Sequence, residues 1–61
     1  MDQIDAIVEE LKAISERLND ASMLLLSDAI ERGETTRPAM EKQISQARRA
    51  VDKAVHHLVQ D

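Results

Sequence analysis

The sequence contains no cysteine, phenylalanine, tyrosine or tryptophan, and only one glycine and one proline. Each scarcity removes a class of solution. Without cysteine there are no disulfides and no thiolate metal sites, two of the devices that hold very small domains together. Without aromatic residues the core must be built from Ile, Leu, Val, Met and Ala, a palette that suits packed helices better than sheets. Gly33 and Pro38 lie close together and punctuate the chain once, whereas a sheet protein of 61 residues would need several turns. One break implies two elements. The longest continuous apolar run, Met23 to Leu26, is far too short to span a bilayer, and the opening Met1-Asp2-Gln3-Ile4-Asp5 has no basic region before an apolar stretch. A cytoplasmic protein with no membrane association is the expectation.

What is present is a strong helical period. From Ile4 the apolar residues recur at Ile7, Leu11, Ile14, Leu18, Ala21 and Leu25, in the alternating steps of three and four that make the heptad seam of packed helices. Val8, Ser15, Ser22 and Ala29 run beside that seam and widen it with small or apolar residues. Arg32 and Gly33 end the helix, the glycine offering the left-handed conformation that closes helices. Asn19-Asp20 is the one place where a new helix would start, but the seam passes through it without a change of phase. Pro38 suits the first turn of a second helix, with Thr35 and Thr36 as local caps. Met40, Ile44, Ala47, Val51, Ala54 and Leu58 then repeat the same spacing, flanked by Val55 and Val59. The expected fold is all-α: helix one over about 2–32, a turn over about 33–37 and helix two over about 38–60, forming one antiparallel hairpin.

A turn centred near residue 35 would set residue i of helix one opposite roughly residue 70 minus i of helix two. Leu25 would then meet Ile44, Leu18 would meet Val51, and Leu11 would meet Leu58. Ile4 and Ile7 would run past the end of the chain with nothing to cover them. Met23-Leu24-Leu25-Leu26 also points apolar side chains around the whole helix, more than one neighbour buries. Both excesses predict a dimer of hairpins completing a four-helix bundle, since 61 residues lie near the lower limit for a self-sufficient core. The surface expected to meet a second copy, or a heterologous protein partner, comprises Ile4, Ile7, Val8, Leu11, Met23, Leu24, Leu26, Ile30, Val55 and Val59. Ala47 and Ala54 alternate with larger residues and predict close approach of the two helices. Residues 1–34 carry nine acids and three bases, and residues 35–61 carry five bases and three acids, so the two halves are complementary in charge.

The polar residues are weighed for chemistry in the same way. His56 and His57 are adjacent, and neighbours on a helix point about 100° apart, so they do not share a ligand site. Asp52 and His56 have the i, i+4 spacing of metal ligands, a spacing that surface ion pairs also use. Glu9, Glu10 and Glu16 lack the Glu-x-x-His motif that helical di-iron sites require. The segment Ile4-Asp5-Ala6-Ile7, with Glu10, Leu11 and Leu18, resembles the first helix of the all-helical chorismate mutases. The dicarboxylate-binding arginine expected early in that helix is replaced here by acids and apolar residues. No enzyme activity, cofactor or metal is expected. The remaining polar feature is a strip on helix two bearing Lys42, Arg49, Lys53 and His56, with Arg48 beside it, which offers contacts to nucleic-acid phosphates. In size and hairpin form the chain is similar to the plasmid repressor-of-primer family of dimeric four-helix RNA binders. The net charge of -4 opposes long-range attraction to nucleic acid, so a noncatalytic protein-interaction or assembly module comes first and an RNA- or DNA-binding regulator second.

Overall fold

The computed structural model describes residues 2–34 and 39–59. Two helices, α1 (Gln3–Glu31) and α2 (Ala39–Leu58), pack on each other as an antiparallel hairpin, and the described residues contain no strand. The molecule is a rod with extents of 47 × 16 × 14 Å. No helix among the described residues is long and apolar enough to cross a membrane.

Both ends of α1 are closed by local hydrogen bonds that the sequence supplies. At the start, the Asp2 carboxylate accepts from the backbone N–H of Asp5 at 2.8 Å, satisfying one of the donors a helix N-terminus leaves over. Asp5 itself places negative charge in the first turn, where the helix dipole favours it. At the other end Gly33 adopts φ +75°. Its N–H donates to the Ile30 carbonyl and the N–H of Glu34 to the Ala29 carbonyl, each at 3.0 Å, the crossed pair of bonds that ends a helix with a left-handed residue. A Cβ at Gly33 would meet nothing within 4 Å, so glycine is required by backbone conformation and not by space. Between these ends α1 is unbroken. It continues through Asn19-Asp20, where the Asn19 side chain contacts Met23 Sδ at 3.8 Å. The expected caps Thr35 and Thr36, and Pro38, lie outside the described residues.

The contact between the helices differs from the one the apolar period predicts. The buried residues of α1 are Val8, Ser15, Ser22 and Ala29, spaced by sevens, and at the two serines α2 answers with polar groups. The Ser22 hydroxyl donates to Glu41 Oε1 at 2.9 Å, and the Ser45 hydroxyl donates to the same oxygen at 3.1 Å. Glu41 is only 3 % exposed, the most buried residue of the described chain. Further along, the Ser15 hydroxyl donates to Asp52 Oδ1 at 2.7 Å. Arg48 donates through Nε to Ser15 Oγ at 3.4 Å and through Nη1 to Asn19 Oδ1 at 3.1 Å. Small serines allow close approach, and the hydrogen bonds offset the desolvation of the groups they join.

These bonds also define the register. Ser22 with Glu41 and Ser15 with Asp52 pair residue i with roughly residue 63 to 67 minus i, not 70 minus i. The shift from 70 minus i follows from where the serine hydroxyls meet Glu41 and Asp52 along α2, since α1 ends at Gly33 as the sequence predicts. Leu58 now falls opposite Ile7, which is half-buried, and only Ile4 of the two projects past α2. The pairings of Leu25 with Ile44, Leu18 with Val51 and Leu11 with Leu58 are corrected by the same shift. Ala47 is exposed, so within the hairpin it is not a small residue that admits close approach, whereas Ala54 is half-buried. Ser15 and Ser22 are buried at the contact and hydrogen-bond across it.

Candidate functional site

The apolar seam of each helix lies to one side of this polar contact. On a heptad wheel Leu11, Leu18 and Leu25 are rotated about 50° from the Ser15–Ser22 stripe, and Ile7, Ile14 and Ala21 about 100° in the same sense. On α2, Ile44, Val51 and Leu58 are rotated by about 50° from Arg48, and Met40, Ala47 and Ala54 by about 100°. Because the helices are antiparallel, these equal rotations carry both seams to the same side of the hairpin. The result is one open two-helix apolar face. Its inner rows are half-buried at Leu11, Leu18, Leu25, Ile44 and Val51, and its outer rows reach 42 % exposure at Ile14 and 54 % at Met40. A shallow groove lined by Ile14, Arg17, Leu18 and Ala21 lies on its α1 side.

The residues expected at a partner surface are distributed unevenly about this face. Ile4, Met23, Leu24, Ile30 and Val59 are exposed, and Ile7, Leu11, Leu26 and Val55 are half-buried. Val8 is 6 % exposed, because it belongs to the stripe that the hairpin covers itself. Ile4, Ile7 and Leu11 lie on the open face. Met23 and Ile30 lie on the other side of α1, where Met23 and Leu24 with Asp20 and Ser27 line a separate shallow groove. The face also recruits Ile14, Leu18, Ile44 and Val51, which the seam reading assigns to contact within the hairpin. The available signal was the run of small side chains at Val8, Ser15, Ser22 and Ala29, which marks where a neighbour comes closest.

On α2, Lys42 and Arg49 line one shallow groove with Ser45 and Gln46 and remain exposed, as does Lys53. Arg48 is separated from that strip by its bonds to Ser15 and Asn19, which turn its guanidinium toward α1. Asp52 is likewise turned to α1 by Ser15. The His56 and His57 rings have centroids 6.4 Å apart and are inclined at 59°. Among the described residues no group of three or more His, Cys, Asp or Glu side chains is placed to hold a metal ion. Comparison with family models, with curated proteins and with solved structures finds no match to this chain.

Proposed function

We propose that the protein is a noncatalytic assembly module whose working unit is a pair of hairpins joined through the open apolar face. The observation that carries this reading is the offset between the two kinds of contact. In a four-helix bundle each helix touches two neighbours about 90° apart, and its apolar residues point between them at the common axis. Here the neighbour within the chain occupies one flank of each seam, and the second flank is open on both helices at once. The exposed area agrees. The chain exposes 5014 Å², where a compact monomer of 6.9 kDa would expose roughly 4,000 Å². The excess is close to the roughly 800 Å² that each partner gives up in a standard interface.

Sedimentation equilibrium at micromolar concentration is the direct test, with a dimer mass as the expected result. The melting temperature should also rise with protein concentration, because association stabilises only the folded chain. A monomer that melts at the same temperature over a hundredfold range of concentration would remove this reading.

The groove between Lys42 and Arg49 supports a second reading, in which the same scaffold presents cations to RNA or DNA. Reversing Lys42, Arg49 and Lys53 to Glu distinguishes the two. As a solubilising surface the strip should tolerate this with about 0.5 kcal/mol or less of change, and dimer mass should be preserved. A nucleic-acid contact would show as a mobility shift that weakens steeply with salt and vanishes in the triple variant. We expect no such shift, given the net charge of -4 and the lack of aromatic side chains for base stacking.

A further inference from the structure

We infer that the occupant of the open face is a second copy arranged with its turn at the same end, so that α1 of one protomer packs against α2 of the other. This rests on the assembly reading above and adds its geometry. Two hairpins that meet face to face by a closed twofold have two choices. With the axis parallel to the helices, the two turns lie together and α1 neighbours the partner's helix two. With the axis across the helices, the turns lie at opposite ends and α1 neighbours its own copy.

Charge separates these arrangements. Within Gln3–Glu31, α1 has seven acids and two bases, and within Ala39–Leu58, α2 has two acids and four bases. On the open side Glu10, Asp28 and Glu31 edge α1 and no Asp or Glu edges α2, so the same-end arrangement sets no acidic rim against another. The opposite-end arrangement sets two strongly acidic helices side by side, and like charge across an interface opposes association.

Side-chain size gives the same answer through the register. An axis parallel to the helices leaves every residue at its own height, so contacts across the interface inherit the pairing seen inside the hairpin. Ile14 on the outer row of α1 then enters between the positions of Ala47 and Ala54 on the opposing helix. Met40, 54 % exposed on the outer row of α2, falls at the height of Leu25 on the opposing helix, so two large apolar side chains cover each other. Glu10 on the rim falls beside the position of His57. In the opposite-end arrangement, aligned for greatest overlap, Ile7 instead meets the carboxylate position of Asp28. An apolar side chain against an unmatched carboxylate loses the burial that holds such a face together.

The chain has no cysteine, so single labels can be placed without background. Glu34→Cys at the turn end and Asp5→Cys at the other end are both exposed positions. Each variant carries one nitroxide per protomer, and pulsed dipolar spectroscopy reads the distance between copies. With axes about 8 to 10 Å apart, both labels should report roughly 20 to 30 Å in the same-end dimer. In a rod 47 Å long, opposite-end pairing would move both beyond about 40 Å, an estimate from the axial spacing of labels at each helix end. That long distance at both sites, together with a dimer mass, would overturn the arrangement while leaving the assembly reading intact. A monomer mass with no dipolar coupling would overturn both. Short and long distances together would show that no single arrangement is selected, which also contradicts the inference.

Discussion

Alanine at both Ser22 and Ser45 is expected to cost the hairpin most of its stability. Glu41 is buried beneath α1, and the two serine hydroxyls both donate to its Oε1. A carboxylate taken out of water must recover its solvation from nearby donors, and deleting donors leaves the desolvation cost in place. Each lost hydrogen bond to a buried charged group is worth about 1.5 to 3 kcal/mol. A chain of this length rarely holds more than about 5 kcal/mol in total. The double variant should therefore melt tens of degrees lower, or be unfolded at room temperature, by circular dichroism at fixed protein concentration. Adding Glu41→Leu to the two alanines should recover much of the loss, since a wholly apolar replacement of a buried charged cluster is often neutral or better. Melting of the double variant within a few degrees of the wild type would show that these hydroxyls do not support the carboxylate.

Glutamate in place of Leu18 is expected to abolish association. Leu18 is half-buried on the inner row of the open face, near its middle, so a dimer would carry two carboxylates close to the bundle axis. Burying an unpartnered charge of this kind costs several kcal/mol, and roughly 4 kcal/mol already weakens binding about a thousandfold. Sedimentation velocity should show a monomer at concentrations where the wild type is dimeric, with helix content falling as the partner's contribution to stability is lost. Ser27→Glu is the matching control. Ser27 is exposed on the side of α1 away from the open face, and its replacement should leave mass and helicity unchanged. If Leu18→Glu keeps the wild-type mass, the apolar face is not where copies meet.

Taken together, the two substitutions separate contacts that a single apolar period blends. The seam from Ile4 to Leu25 predicts a helix correctly, and Met40 to Leu58 predicts another, because burying a stripe at that spacing requires helical backbone in any packed arrangement. The direction in which each stripe points is a different matter. Apolar side chains point toward the average position of all neighbours, and when there is more than one neighbour that average coincides with none of them. The reading that sets Leu18 against Val51 within the hairpin fails because the serine bonds to Glu41 and Asp52 set a different register, while the residues involved are still the apolar ones. Loop length and Pro38 suggest a turn centred near residue 35 and symmetric pairing about it, but the serine bonds to Glu41 and Asp52 set the pairing.

The sequence by itself determined two helices, a single reversal and the helix-ending glycine, because each depends on local backbone preference and on a periodicity confined to one segment. It also determined that the two halves carry opposite charge, which needs only counting. Only the tertiary structure decided that Ser15, Ser22 and Glu41 lie inside and that Arg48 turns from the basic strip toward α1. The tertiary structure likewise decided that both seams open on one side. These outcomes depend on how far each helix is rotated about its own axis against the other, and that rotation is set by close approach of small side chains and by hydrogen bonds between residues 19 to 37 positions apart in the chain. No local preference encodes such a rotation. Once the helices have met, the polar groups that find partners across the contact are held inside, and the apolar rows beside them are left on one open side.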